Sequence, residues 1–452
     1  MFSISSYYYV LTIKKFHFFE NMEVIISLVG ALLVLVYILK SKLFYFKKAP
    51  RHLIFALFII KIAGASLLFQ HYDNLDDRRF SDIFKHYDDG LTIKNGILNN
   101  PAVGGKLLLQ HKSNNESFTE ITENCRYWNS GKTIDNFQGN RFMIRLNAIL
   151  SLITQQNYFL HLVFFTLISF CGMLMLVKCL PESFEQMQIP LLAALTISPS
   201  LLFWTSGILK ESLTVFLLGL FCINAFRSKH IRSQLLRYFI IALSISILFV
   251  IRPYILLALI LGLIIFQLHK YLNTSWLRLS MASILSLFVI LIILLQFSRF
   301  NPLNEITNKR VEFEELAKTF DAGSTYSIPV VNEPIEIIYK APQAILNVLF
   351  RPHVFEIENK SYLPFALEGA VLLIISFLII PFFKRPENNL QSIIVPGMMF
   401  ILVVCLIIGL TIPILGASVR YRSPAIMVYI IILFSLIDWK KIKSLSDLKT
   451  SK

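Results

Sequence analysis

Apolar and polar residues alternate along this chain in blocks, not in the short periods of amphipathic helices or strands. Runs of mostly Leu, Ile, Val, Phe and Ala fall at 24–40, 52–70, 158–178, 190–205, 208–226, 236–251, 253–268, 277–297, 364–383, 392–414 and 423–437. A helix rises ~1.5 Å per residue and bilayer hydrocarbon is ~30 Å thick, so ~20 apolar residues cross it. The pattern predicts an all-α polytopic membrane protein of about 11 transmembrane helices (10–13). Residues 1–23 precede the first run as an N-terminal extension, with Met22 directly before it. Helices 1–2 occupy 24–70, helices 3–8 occupy 158–297 and helices 9–11 occupy 364–437. Between them lie two long loops, 71–157 and 298–363, and a basic tail, 438–452, ends the chain. Within the first loop, 141–154 reads as an amphipathic helix too short to span, suited to the membrane interface.

Composition agrees: 55% of residues are hydrophobic and 16% charged, whereas about a quarter are charged in soluble domains. The net charge of +15 raises the question of nucleic acid, but its distribution answers it. Lys42, Lys47, Lys48 and Arg51, then Arg227, Lys229 and Arg232, then Lys384 and Arg385, then Lys440, Lys441 and Lys443 all fall on one side of eleven spans. The two long loops are nearly balanced. This is the positive-inside pattern, so the basic excess sets topology: long loops outside, C-terminus in the cytoplasm, no nucleic-acid partner. A multi-pass protein of a bacterial inner (plasma) membrane fits. Five cysteines, most of them in apolar runs, give no disulfide framework.

Chemistry is expected where polar residues gather at the outer ends of the runs. The segment 71–90, HYDNLDDRRFSDIFKHYDDG, is dense in carboxylates. If 80–90 is helical, Asp82, His86 and Asp89 share a face at i, i+4 and i+7, which suits a general base or a divalent ion. Asp77 and Asp88 are the alternative bases. In 199–212, PSLLFWTSGILKES, Pro199 breaks one helix and Lys210 and Glu211 open the next. An acid there suits the helix dipole; a lysine does not. Arg252 with Tyr254, Arg351 with His353, and Arg420 with Arg422 complete the set. All four cations are arginine, whose planar fork matches phosphate oxygens. Pro424 and Gly416 predict that 416–424 is a short loop aiming Arg420 and Arg422 at one volume. Lys61, inside the second run, suits either a structural pairing with Glu368 in the ninth or a catalytic role.

These segments resemble the glycosyltransferase-C superfamily of polytopic transferases that use lipid-phosphate sugar donors. PSLLFWTSGILKES is similar to their turn of proline, aromatic and small residues before an acid opening a helix. GASVRYRSP is similar to the Arg-Tyr-x-x-Pro element of the protein-mannosyltransferase-like branch. The acidic loop stands where that superfamily carries its catalytic acid, although here it follows the second run and not the first. The resemblance implies a glycosyltransferase-C-like fold and an inverting transfer of sugar from a polyprenyl-phosphate donor. The acceptor would be an extracytoplasmic glycan, lipid or protein, in cell-envelope polysaccharide synthesis. Asp82, Asp77, Asp88, His86, Asp89 and Glu211 would be catalytic. Lys210, Arg252, Tyr254, Arg351, His353, Arg420 and Arg422 would bind donor. A polysaccharide polymerase or ligase with a diphosphate-linked donor, or a transporter or flippase, is the alternative; a transporter would place charges near the midplane in matching halves.

Overall fold

A computed structural model describes residues 25, 27, 29–73, 81–110, 113–128, 138–227, 233–272, 278, 281, 302–319, 324–333, 335–357, 359–442 and 444. The described residues are helical, with isolated β-bridges and no strands. Five helices are long and apolar enough to cross a membrane: Arg51–Asp73, Tyr158–Cys179, Gln234–Ile251, Lys360–Phe382 and Asn388–Thr411. Leu415–Tyr421 and Ser423–Leu436, bent by 57°, make a sixth if they form one span. The count of eleven is larger. The first, fourth and fifth runs form short or broken helices, and the seventh forms the helix Pro253–Leu272. The eighth, 277–297 apart from residues 278 and 281, and the extension 1–23 lie outside the described residues.

The chain divides into two compact units: residues 1–168 with 206–209, and 169–205 with 210–452. The first unit holds α1 (Val29–Lys40), α2 (Arg51–Asp73), α3 (Asp82–Asn99), α4 (Pro101–Leu109), α5 (Glu116–Glu123) and α6 (Gly139–Thr154). It also holds the start of α7 (Tyr158–Cys179). The segment expected to be a loop, 71–157, is therefore in large part a small helical body. Asp82 sits in the first turn of α3, where an acid favours the dipole. Ile93, Val103, Leu107, Phe118, Cys125, Trp128, Ile144 and Ala148 form its own core. Gly90 lets α3 approach α6 closely, since a Cβ there would lie 2.7 Å from the Cβ of Asn147. The expectation of a helix over 141–154 holds. One face (Met143, Ile144, Asn147) is buried, and Ile149, Leu152 and Ile153 are exposed.

The second unit continues with α8 (Gln188–Ile197), α9 (Pro199–Trp204), α10 (Lys210–Phe226), α11 (Gln234–Ile251), α12 (Pro253–Leu272), α13 (Pro302–Thr319), α14 (Glu336–Phe350), α15 (Leu363–Phe382), α16 (Asn388–Thr411), α17 (Leu415–Tyr421) and α18 (Ser423–Leu436). Helix α16 runs through its centre, packed by α12, α14 and α18. Small residues set the closest crossings, as in membrane helix pairs generally. Gly172 of α7 and Gly219 of α10 meet backbone to backbone: a Cβ on Gly219 would lie 2.2 Å from the Gly172 oxygen.

Candidate functional site

In the first unit, Asp82, His86 and Asp89 do share one face of α3, and all three meet residues 126–140. Asp89 is buried, with Oδ1 accepting from the Arg126 N–H at 2.9 Å and Oδ2 from the Tyr127 N–H at 2.7 Å. Burial pushes its carboxyl above the usual range, and the two backbone donors pull it part of the way back. A carboxylate used on both oxygens to hold a turn is a clamp, not a base. His86 is buried, with Nε2 3.3 Å from Asn140 Oδ1 and its ring 5.5 Å from that of Tyr127. Asp82, partly exposed, accepts from the Tyr127 hydroxyl. The Lys85 ammonium stands 3.3 Å from the same hydroxyl and 4.4 Å from the ring centre. Asp88 is more open and pairs with Arg126 at 3.8 Å. Asp77 lies outside the described residues. Asp82 is thus the member of the trio with both access and a polar partner. Tyr127 was not singled out by the sequence; no periodicity or motif marks it. Among the described residues no group of three or more His, Cys, Asp or Glu side chains is placed to hold a metal ion.

The second unit carries the stronger charge cluster, and helix ends assemble it. Glu211 opens α10 and is 2% exposed. Arg252 is the C-cap of α11, and Arg420 lies in the last turn of α17. Acids at helix starts and cations at helix ends are the arrangement the macrodipoles favour. Arg252 Nη2 donates to Glu211 Oε1, and Arg420 Nε lies 3.1 Å from the same oxygen. Tyr421 packs against both guanidinium groups, 4.4 Å from Arg252 and 5.7 Å from Arg420, and Trp204 is 5.9 Å from Arg420. Tyr254 stands beside Arg252 and Tyr421. Lys210 precedes Glu211 in the same helical turn, its carbonyl accepting from the Thr214 hydroxyl at 2.8 Å. No family model matches the chain, and no curated protein or solved structure matches it.

Arg422 does not join Arg420. The segment 415–421 is helical where a loop was expected, and the two side chains part: Pro424 is accommodated in the first turn of α18, where its missing N–H costs nothing. Arg422 is wholly buried. Its Nη1 donates to Val348 O at 2.7 Å and to Arg351 O, capping the C-terminus of α14, and its Nη2 meets Glu368 Oε2 at 3.4 Å. Glu368 in turn accepts from the Ser198 hydroxyl, the Ser200 N–H (3.1 Å) and the Ser200 hydroxyl (2.5 Å), which caps the start of α9. One ion pair thus satisfies the carbonyl end of one helix and the amide end of another. That corrects one expectation: Arg422 has no surface to offer a phosphate. Within the second unit, Glu368 is held by Arg422 and two serines. Arg351 pairs with Glu356 at 3.0 Å and lies over the Tyr326 ring at 5.1 Å. His353 stacks on Phe355, and its N–H donates to Glu356 Oε2 at 3.1 Å. This segment folds on itself rather than onto the Glu211 cluster.

Proposed function

We propose that the chain is a multi-pass membrane glycosyltransferase with about eleven spans and a glycosyltransferase-C-like fold. It takes a sugar from a polyprenyl-phosphate donor on the extracytoplasmic face and passes it to a glycan, lipid or protein acceptor of the cell envelope. The observation that carries the reading is the convergence of Arg252 and Arg420 on Glu211, with Tyr421 packed against both. Glu211 orients the two guanidinium groups and is itself too enclosed to be the base. Each guanidinium has five N–H donors in a fixed fork, more than one carboxylate oxygen takes up, so the pair suits a phosphate that gains charge as it leaves. In the reaction, an acceptor hydroxyl attacks the anomeric carbon and the bond from that carbon to the donor phosphate oxygen breaks. The electron pair leaves with the polyprenyl phosphate, and the hydroxyl proton goes to a carboxylate. Within the first unit, Asp82, partly exposed and hydrogen-bonded by Tyr127, is the candidate that the sequence offers for that carboxylate.

The test is incubation of the purified protein with radiolabelled polyprenyl-phosphate sugars and an envelope acceptor fraction. Transfer from a monophosphate donor, lost in Arg252→Lys, is the expected result. Transfer from diphosphate-linked chains alone would move the protein to the polymerase or ligase class. Movement of label across proteoliposomes without transfer would make it a flippase.

A further inference from the structure

The charge pattern places the second long loop outside the membrane, yet α14 within it has the surface of a membrane helix. Three stripes run along it. Ile337, Ala341, Ala344 and Val348 are buried, the first three in a cluster with Leu406 and Leu410 of α16. Glu336, Lys340, Gln343 and Asn347 form a polar flank, Lys340 bonded to Glu336 at 2.8 Å. Ile335, Ile338, Tyr339, Pro342 and Leu346 form a third stripe about 100° wide at ~100° per residue. All five are exposed, Tyr339 at 63% and Leu346 at 54%. A water-facing loop helix would carry polar residues there; this one is apolar on two of its three sides.

Its neighbours set its depth. Ala344 packs so closely on Gly409 of α16 that a Cβ there would lie 2.4 Å from its carbonyl oxygen. The 24 residues of α16 extend ~36 Å, about 6 Å more than the hydrocarbon layer, while Leu406 lies ~7 Å from the helix end. The α14–α16 contact therefore reaches inside the hydrocarbon boundary. Gly369 of α15 meets the Phe350 carbonyl in the same way, and α15 exposes Val371, Ile374, Phe377 and Ile380 as a spanning helix does. The exposed stripe of α14 continues an apolar surface of spanning helices. The helix end has no need of water either, because Arg422 caps Val348 O and Arg351 O from within the protein, as a backbone end at that depth requires.

We propose that α14 is an embedded, non-spanning helix in the outer leaflet, its polar flank toward the headgroups and Ile335, Ile338, Tyr339, Pro342 and Leu346 against lipid acyl chains. The inference rests on the membrane placement of α15 and α16 and, for the leaflet, on the positive-inside assignment; it is independent of the transferase reading. The test places p-benzoylphenylalanine singly at Ile338, Leu346, Gln343 and Ile374 in the full chain, in nanodiscs of radiolabelled phospholipid. On irradiation, positions 338 and 346 should take up lipid label as Ile374 of α15 does, and position 343 about fivefold less. Equal labelling at 338, 346 and 343, whether high or low, would overturn the proposal. So would a cross-linked dimer in place of lipid at 346, which would assign the stripe to a second copy of the chain.

Discussion

Replacing Arg422 by Met unmakes three contacts at once: the ion pair to Glu368 and the caps on Val348 O and Arg351 O. Arg422 is 0% exposed and Glu368 is 6% exposed, so solvent replaces none of them. Removing one partner of a buried pair costs about 3–5 kcal/mol, because the other charge stays buried without its counter-ion. Two uncapped carbonyls in the same place bring the expected loss to the upper part of that range, at about 1–3 kcal/mol for each unsatisfied group taken alone. A loss of that size is a large share of the 5–15 kcal/mol that holds a typical folded protein together. Arg422→Lys keeps the charge and loses the fork, so it should cost less, about 1–3 kcal/mol. The chain supplies its own reporter, since Cys125, Cys171 and Cys405 are buried; a thiol-reactive dye in detergent follows their exposure on heating. The decisive comparison is the double variant Arg422→Met with Glu368→Gln. It should be less unstable than the two singles combined, by about 1–3 kcal/mol, because it strands no charge. A wild-type unfolding profile for Arg422→Met, or strictly additive effects, would refute the double-cap reading. Normal stability with loss of donor affinity in Arg422→Lys would return this residue to the phosphate site.

Arg252→Lys and Arg420→Lys keep a cation beside the buried Glu211 and should cost about 1–3 kcal/mol of stability at most, while lowering transfer roughly tenfold or more each; donor titration with wild-type affinity and turnover in both would leave them a structural pair. Asp82→Asn should abolish transfer and keep the fold, whereas Asp89→Asn should lower stability by about 1–3 kcal/mol, because an amide cannot accept both the Arg126 and Tyr127 N–H groups; the reverse assignment would show that the base is Asp89. Gly219→Ala should separate α10 from α7, where a Cβ meets the Gly172 backbone at 2.2 Å, and cost about 1–3 kcal/mol by overpacking; an unaltered thermal profile would contradict the close crossing. Cysteine in place of Ser113 should react with an impermeant thiol reagent in spheroplasts and cysteine in place of Ser228 should not, by the positive-inside distribution; the opposite pattern would invert the topology.

By itself the sequence marked several helices long and apolar enough to cross a bilayer, since ~20 apolar residues match the hydrocarbon thickness and backbone hydrogen bonding favours the helix there. It also marked the members of the charged cluster in the second unit. Lys210, Glu211, Arg252 and Arg420 stand out because charges beside apolar runs are costly and are retained for a reason. Local spacing was enough for α3, where i, i+4 and i+7 put Asp82, His86 and Asp89 on one face. What each of these does was decided by partners far away in the chain. Asp89 is a clamp because Arg126 and Tyr127 present their N–H groups to it. Arg420 and Arg422, two residues apart, part company because one meets Glu211 and the other meets Glu368 and the end of α14. No period in the sequence encodes such pairings, which join residues 37 to 209 positions apart. The helical body within 71–157 was hidden for a related reason: its core comes from short helices that are only partly apolar, and these become stable by packing on one another and not by their own composition. For α14, the apolar, buried and polar stripes were present in the residues, but which apolar stripe faced protein was settled by the closeness of Ala344 to Gly409.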